Sequence, residues 1–176
     1  MEDTKDILLI NEEIARKFAD IAARFPSTTS VQSLFETLLN GLEEEFGIPY
    51  MWITVIDDPP GNILYRKLLE SECLEGRLHV IERPAFMELT GESHIPILIN
   101  HDLKPYFRLM PVARKYLLRS LAVAPIVIED KVIGSMNYGD VSETRYHEEL
   151  GVTLLGTMMD SASIHLARLL REQERE

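Results

Sequence analysis

Cysteine is nearly missing from this 176-residue chain: Cys73 stands alone. A lone thiol excludes an intrachain disulfide framework and suits a reducing compartment. Positive charge is scarce as well, with 18 lysines and arginines against 29 aspartates and glutamates, a formal net charge of −11. Such a surface repels phosphate backbones and anionic headgroups, so nucleic-acid and membrane partners are not expected. Arg108, Arg114, Lys115 and Arg119 make one candidate for a local basic patch. Long apolar runs are lacking too. The stretch 121–128 falls far short of the roughly 20 residues that span a bilayer. The start Met1-Glu2-Asp3-Thr4 is acidic where a secretory signal is basic and then apolar. A cytoplasmic protein is the expectation. There is no GxGxxG, no phosphate-binding GxxxxGK[ST] and no CxxC, which removes the common nucleotide and dithiol chemistries.

What is present is hydrophobic periodicity. A 45% hydrophobic share over this length is enough for one domain with its own core. Ile7, Ile10, Ile14, Phe18, Ile21 and Phe25 recur in steps of three and four, which predicts an amphipathic helix ended by Pro26-Ser27. A second helix is expected from Thr29, with Gln32 at capping-box distance, to a stop at Gly47. The aromatic and β-branched run 50–56 reads as a buried strand. After the turn Asp57-Asp58-Pro59-Pro60-Gly61-Asn62, residues 63–69 are expected to return as its hairpin partner. The middle, 70–119, is irregular, with short apolar pieces at 78–81 and 95–99 and candidate helices at 84–89 and 110–118. Strands 121–128 and 132–138 then form a hairpin about Glu129-Asp130-Lys131. A last helix is expected to start at Asp140, with Glu143 at capping-box distance, or at Tyr146 or His147. It carries Leu155, Met159, Ala162, Leu166 and Leu169 as a seam for another helix. The order helix, helix, hairpin, irregular middle, hairpin, helix predicts an α+β fold: an antiparallel sheet with the end helices sharing one face.

Chemistry-bearing residues are sparse and each has a plainer reading. Gly134-Ser135-Met136-Asn137-Tyr138-Gly139 lacks the spacing of a nucleophile elbow and reads as a strand with small residues for close packing. Asp57-Asp58 reads as an exposed turn rather than an acid/base pair, because Pro-Pro-Gly follows. His79, His94 and His101 with Cys73 or Asp102 have no spacing that fixes a metal site. Glu70, Glu72 and Glu75 surround Cys73 and disfavour its thiolate. The densest polar and aromatic cluster lies in the irregular middle. His94, His101, Tyr106, Arg108 and Arg114 are therefore the candidate ligand-binding residues of a small-molecule pocket; the competing reading makes them a solvated lid over a filled core. No cofactor is assigned.

The residues Ser120-Leu121-Ala122-Val123-Ala124-Pro125-Ile126, then Val132-Ile133-Gly134-Ser135-Met136-Asn137-Tyr138, then the terminal amphipathic helix, resemble the GAF pattern: a strand ending in proline and an aliphatic, a short turn, and a strand opening aliphatic-glycine. The likeness covers roughly residues 28–170 and extends to stand-alone bacterial GAF-like proteins. Residues 1–27 are a helical arm and 28–176 the domain. The resemblance implies a central antiparallel sheet, helices on one face, a loop-covered small-molecule pocket on the other, and a homodimer through the terminal helices. Ile14, Phe18 and Ile21 of the first helix, with the seam of the last, are the candidate packing residues. The chain lacks the Asn-Lys-x-Phe-Asp-Glu signature of cyclic-nucleotide GAF domains and the paired cysteines of the sulfoxide-reducing type, and Cys73 matches no bilin-attachment context. The expected function is non-catalytic small-molecule sensing or regulatory dimerisation, with no ligand identified. The rivals are a small redox or hydrolytic enzyme using Cys73 or the loop histidines, and a scaffold without ligand.

Overall fold

The computed structural model describes residues 2–111, 118–143, 145 and 152–174. The first helix, α1 (Glu2–Ala22), is followed by a 3₁₀ turn at Phe25–Ser27 with Pro26 in its first turn. Towards its C-terminal end this segment joins the main core: Ile21 and Phe25 are fully buried there, while Ile14 and Phe18 are half-buried. Helix α2 (Val31–Phe46) is capped by Ser30, one residue later than expected. Its hydroxyl accepts the Ser33 N–H at 3.0 Å, and Ser33 Oγ accepts the Ser30 N–H at 3.1 Å, so two otherwise orphaned donors are satisfied reciprocally. Gly47, at φ 59°, closes the helix in the left-handed conformation that a β-carbon disfavours.

Strand β1 (Tyr50–Ile56) forms as expected, but its expected partner does not. Residues of the stretch 63–69 belong to a helix, α3 (Gly61–Leu68). The reason is the period: Leu64 and Leu68 lie four apart and both are fully buried, while Arg66 and Lys67 occupy the last turn. Gln32 of α2 donates to the Lys67 carbonyl at 2.7 Å and ties α3 to the helical layer. The chain then runs through β2 (Leu78–Ile81), α4 (Arg83–Thr90), β3 (Ile97–Ile99), a 3₁₀ segment at Lys104–Leu109, β4 (Ser120–Ile128), β5 (Lys131–Asp140) and α5 (Thr153–Glu174). Most of the helix expected at 110–118 lies outside the described residues.

The five strands lie in the order β2-β1-β5-β4-β3. Pairs β1–β5, β5–β4 and β4–β3 are antiparallel, whereas β1–β2 is parallel, with Ile53 opposite Leu78 and Ile56 opposite Ile81. The expectation of a wholly antiparallel sheet is thus corrected to a mixed one. The long connection through α3 accounts for it, because parallel neighbours need a crossover whereas a hairpin reverses direction. The β4–β5 hairpin turns at Glu129 and Asp130, both at positive φ (51° and 64°), the geometry whose twist matches two-residue hairpins.

Helices α1, α2, α3 and α5 share one face of the sheet and bury Met51, Ile53, Val55, Ala122, Ala124, Met136 and Tyr138 with them. The seam expected on α5 forms within the chain. Met159, Ala162, Leu166 and Leu169 are buried there and Leu155 packs at its margin, while Ser163 Oγ accepts the Val127 N–H of β4 at 3.2 Å. The expected helix start at Asp140 is corrected. Asp140 is the last residue of β5, and its carboxylate accepts from the Ser142 N–H at 2.8 Å and from Arg145 at 3.0 Å. The alternative starts Tyr146 and His147 lie outside the described residues. Among the described residues no helix is long and apolar enough to cross a membrane.

The turn after β1 is fastened by charge. Arg83 Nε and Nη2 donate to Asp58 Oδ2 and Oδ1 at 2.6 and 2.8 Å, and Lys131 Nζ lies 3.6 Å from Oδ1. The Arg83 hydrogen bond holds the Asp58 carboxyl below its ordinary 3.8, against the opposing pull of burial. A depressed folded-state value means that the folded chain binds fewer protons than the unfolded one. The stabilisation is therefore complete above 3.8 and is lost as pH falls through the folded value. In urea titrations between about pH 5 and pH 2, the wild type is expected to lose midpoint more steeply than Asp58→Asn. Parallel curves would remove this pair from the acid response.

Candidate functional site

The opposite sheet face is set by strand alternation. Trp52 and Thr54 of β1 point away from the helices, and so do Ser135 and Asn137 of β5 and Val123 and Pro125 of β4. The register places Trp52, Asn137 and Val123 in one row and Thr54, Ser135 and Pro125 in the next. Thr54, Ser135 and Asn137 are 0% exposed, and burying such groups is costly unless every donor finds an acceptor. They do so through one relay. Ser135 Oγ donates to Asn137 Oδ1 at 2.8 Å, and Asn137 Nδ2 donates to Thr54 Oγ1 at 2.8 Å. Thr54 Oγ1 passes its own proton to the carbonyl of Leu109 at 2.8 Å. The indole Nε1–H of Trp52 donates to that same carbonyl, also at 2.8 Å. Two side chains of the sheet, Trp52 and Thr54, thus donate to one backbone oxygen of the layer above, and Asn137 and Ser135 stand behind Thr54 in the relay.

That layer is a second apolar cluster. Phe86 of α4, Leu109, Met110, Leu118 and Ile99 are buried against Trp52, Ile56, Leu121 and Val123. Tyr106 and Phe107 are half-buried at its margin. The Lys104–Leu109 segment lies over the sheet with exposed Arg108, whose Nη1 reaches Glu88 of α4 at 3.7 Å.

The candidate ligand-binding residues are not gathered at one point. Of the candidates among the described residues, Tyr106 alone joins the cluster over the relay. His101 is exposed beside Asn100, with Nδ1 3.3 Å from Asn100 Oδ1. Arg108 turns outward to Glu88. His94 is exposed and borders a shallow groove of about 390 Å³ with Val127, Glu129, Asp160 and Ile164. Arg114 lies outside the described residues. His79 sits on β2 opposite Thr54 of β1, and Cys73 is exposed. Among the described residues no three His, Cys, Asp or Glu side chains are grouped to hold a metal ion. An apolar hollow of about 290 Å³ lies instead on the helical face, lined by Phe18, Phe46, Leu98, Tyr138 and Leu155.

No protein-family model and no curated protein matches the sequence. Among solved structures, the GAF domain of a phosphoenolpyruvate-protein phosphotransferase from Acinetobacter is similar with a TM-score of 0.60. The match spans 90% of this chain and 96% of that one at 14% identity. The fold is GAF-like. Within the GAF-like frame the helical layer stands on one face of the sheet, as the resemblance implies, and on the other α4 and the 3₁₀ segment close over the sheet with buried apolar side chains. The relay residues Trp52, Thr54, Ser135 and Asn137 were not among the candidates. Their signal was present: Ser135 and Asn137 are two apart inside an otherwise apolar strand, so they share a face and need polar partners there.

Proposed function

We propose that this chain is a non-catalytic regulatory module that takes a small molecule between the sheet and the layer formed by α4 and the Lys104–Leu109 segment. The buried relay from Ser135 to Leu109 carries the reading. A sheet face meant only for packing is served by apolar side chains, and a connected polar set in an apolar wall is what a small-ligand site requires. The GAF-like fold supports the same face, as does the sequence resemblance, which implies a small-molecule pocket there. A ligand that favours one arrangement of this cover over another would shift its population and thereby signal. Dimerisation through the terminal helices belongs to the proposal. Because the inner stripe of α5 is buried within the chain, the association is assigned to its outer side, where Leu154 and Ile164 are exposed.

The test is a thermal-shift screen of nucleotides, amino acids and haem, read together with tryptophan emission, since Trp52 is the sole tryptophan. A ligand at a hundred times its Kd contributes about 2.7 kcal/mol, a rise of about 5 °C or more in Tm for a chain of this size. The expected hit raises Tm and shifts the emission. Hits that raise Tm and leave the emission unchanged would place binding elsewhere and overturn the assigned face.

A further inference from the structure

We infer that two copies of this chain associate through the outer side of α5 in antiparallel register, Asp160 of each against Arg171 of the other and Ile164 of each over Ala167 of the other. The inference rests on the dimerisation reading above and specifies its geometry. Asp160, Ile164, Ala167 and Arg171 follow one another in steps of four, three and four, so they form one line along the helix. That line is about 16 Å long and runs opposite the buried stripe of Met159, Ala162, Leu166 and Leu169. Asp160 and Arg171 are exposed, Ile164 projects with 68% of its surface free, and Ala167 is half-buried.

The order along the line is acid, large apolar, small apolar, base. A two-fold axis midway between Ile164 and Ala167 converts that order into its own complement. Opposite charges then meet at both ends, and a projecting side chain meets a recessed one twice in the middle, which is the self-matching that a closed two-fold contact requires. Parallel pairing of the same line would set Asp160 on Asp160 and Arg171 on Arg171, and like charges face to face oppose association. The recess is visible beside Ala167. Two shallow grooves run there between α5 and the β4–β5 hairpin, about 390 Å³ on the Asp160 side and about 360 Å³ on the Arg171 side. Ile128 and Ala167 line both, and Ile63 and Leu170 extend the second with apolar surface. Because Ala167 carries only a methyl, the longer side chain of an incoming isoleucine can seat beside it against Ile128. The charges follow the same plan. Asp130 joins Asp160 in the first groove, so the second copy's Arg171 arrives where carboxylates stand. Two chains of net charge −11 repel each other at large, and a patch that pairs acid with base is where they can meet.

The experiment is a charge exchange on the full chain, read by light scattering over a dilution series. The wild type is expected at twice the mass of one chain. Asp160→Arg and Arg171→Asp each set like charges at both ends of an antiparallel pair. Each exchange counts twice across the axis, so each variant is expected to raise the dissociation constant about tenfold. Asp160→Arg/Arg171→Asp restores opposite charges and is expected to return to the wild-type constant. In a parallel pair the single exchanges replace one like-charge contact by another, and the constant stays where it was. Both positions are exposed, so every variant is expected to keep the wild-type circular dichroism. Single exchanges without effect, or a double exchange that fails to recover, overturn the antiparallel register. If Ile164→Glu still halves the mass in that case, association through the outer side of α5 stands without it. A wild type that remains a single chain at every dilution overturns both the register and the dimerisation reading, leaving the ligand screen as a separate question.

Discussion

Gly134→Ala is expected to destabilise the fold by about 3 kcal/mol, at the upper end of what overpacking a tight site costs. A β-carbon on Gly134 would lie 2.3 Å from the Thr54 carbonyl oxygen and 3.2 Å from the Val55 α-carbon. Both are backbone atoms of β1, so no side-chain rotamer can relieve the clash. Gly134 is opposite Val55 on one side and Ile126 on the other, next to the irregularity in the β4–β5 register at Ile126 and Val127. Relief therefore means moving β1 away from β5, which strains the ladder that aligns Thr54 with Ser135. Gly156 provides the contrast. Among the described residues its added β-carbon would meet the Pro96 ring, Cδ at 3.5 Å and Cγ at 3.9 Å, ordinary contacts, and inside a helix alanine is favoured over glycine by up to about 1 kcal/mol. Urea denaturation should give a lower midpoint for Gly134→Ala and an unchanged or higher one for Gly156→Ala. A wild-type midpoint for Gly134→Ala would refute the close approach of β1 and β5.

Leu166→Ala is the second large effect, about 2–5 kcal/mol for a fully buried leucine whose surroundings cannot collapse into the gap. It stands on the inner side of α5, between the Ser163 contact to β4 and the Arg168 contact to the Thr28 carbonyl at 3.3 Å. Ile164, two residues earlier, is 68% exposed on the outer side. Ile164→Glu is expected to change the stability of the single chain by no more than about 0.5 kcal/mol and to halve the particle mass if that side holds two copies together. Light scattering and denaturation on the same samples separate the two roles. Were Leu166→Ala to halve the mass and leave the chain's own stability untouched, its stripe would lie between subunits and the helical packing described here would be wrong.

The contrast between those two residues illustrates what local pattern reveals. Steps of three and four identified the inner stripe of α5 and the buried faces of α1 and α2, because period alone reports which side is apolar. The β4–β5 hairpin was equally legible, since its strands are adjacent in sequence. The partner of β1 was not. Ile63-Leu64-Tyr65 looks strand-like over three residues, and only the Leu64 and Leu68 spacing, with both side chains under α2, shows a helix. The true neighbours of β1 are β5, distant in sequence, and β2, reached by a crossover; neither leaves a local mark. The site was hidden for a related reason. Polar residues in loops, such as His94, His101 and Arg108, are conspicuous in a sequence, yet in the structure these three are exposed. Thr54, Ser135 and Asn137 were masked by apolar neighbours within regular strands.

The two outermost strands are short, four residues in β2 and three in β3. Long open borders invite a foreign strand to add on, and brief ones offer it few free backbone groups. Growth of the sheet from copy to copy is thereby discouraged on both sides, and self-assembly is channelled away from fibre-like stacking.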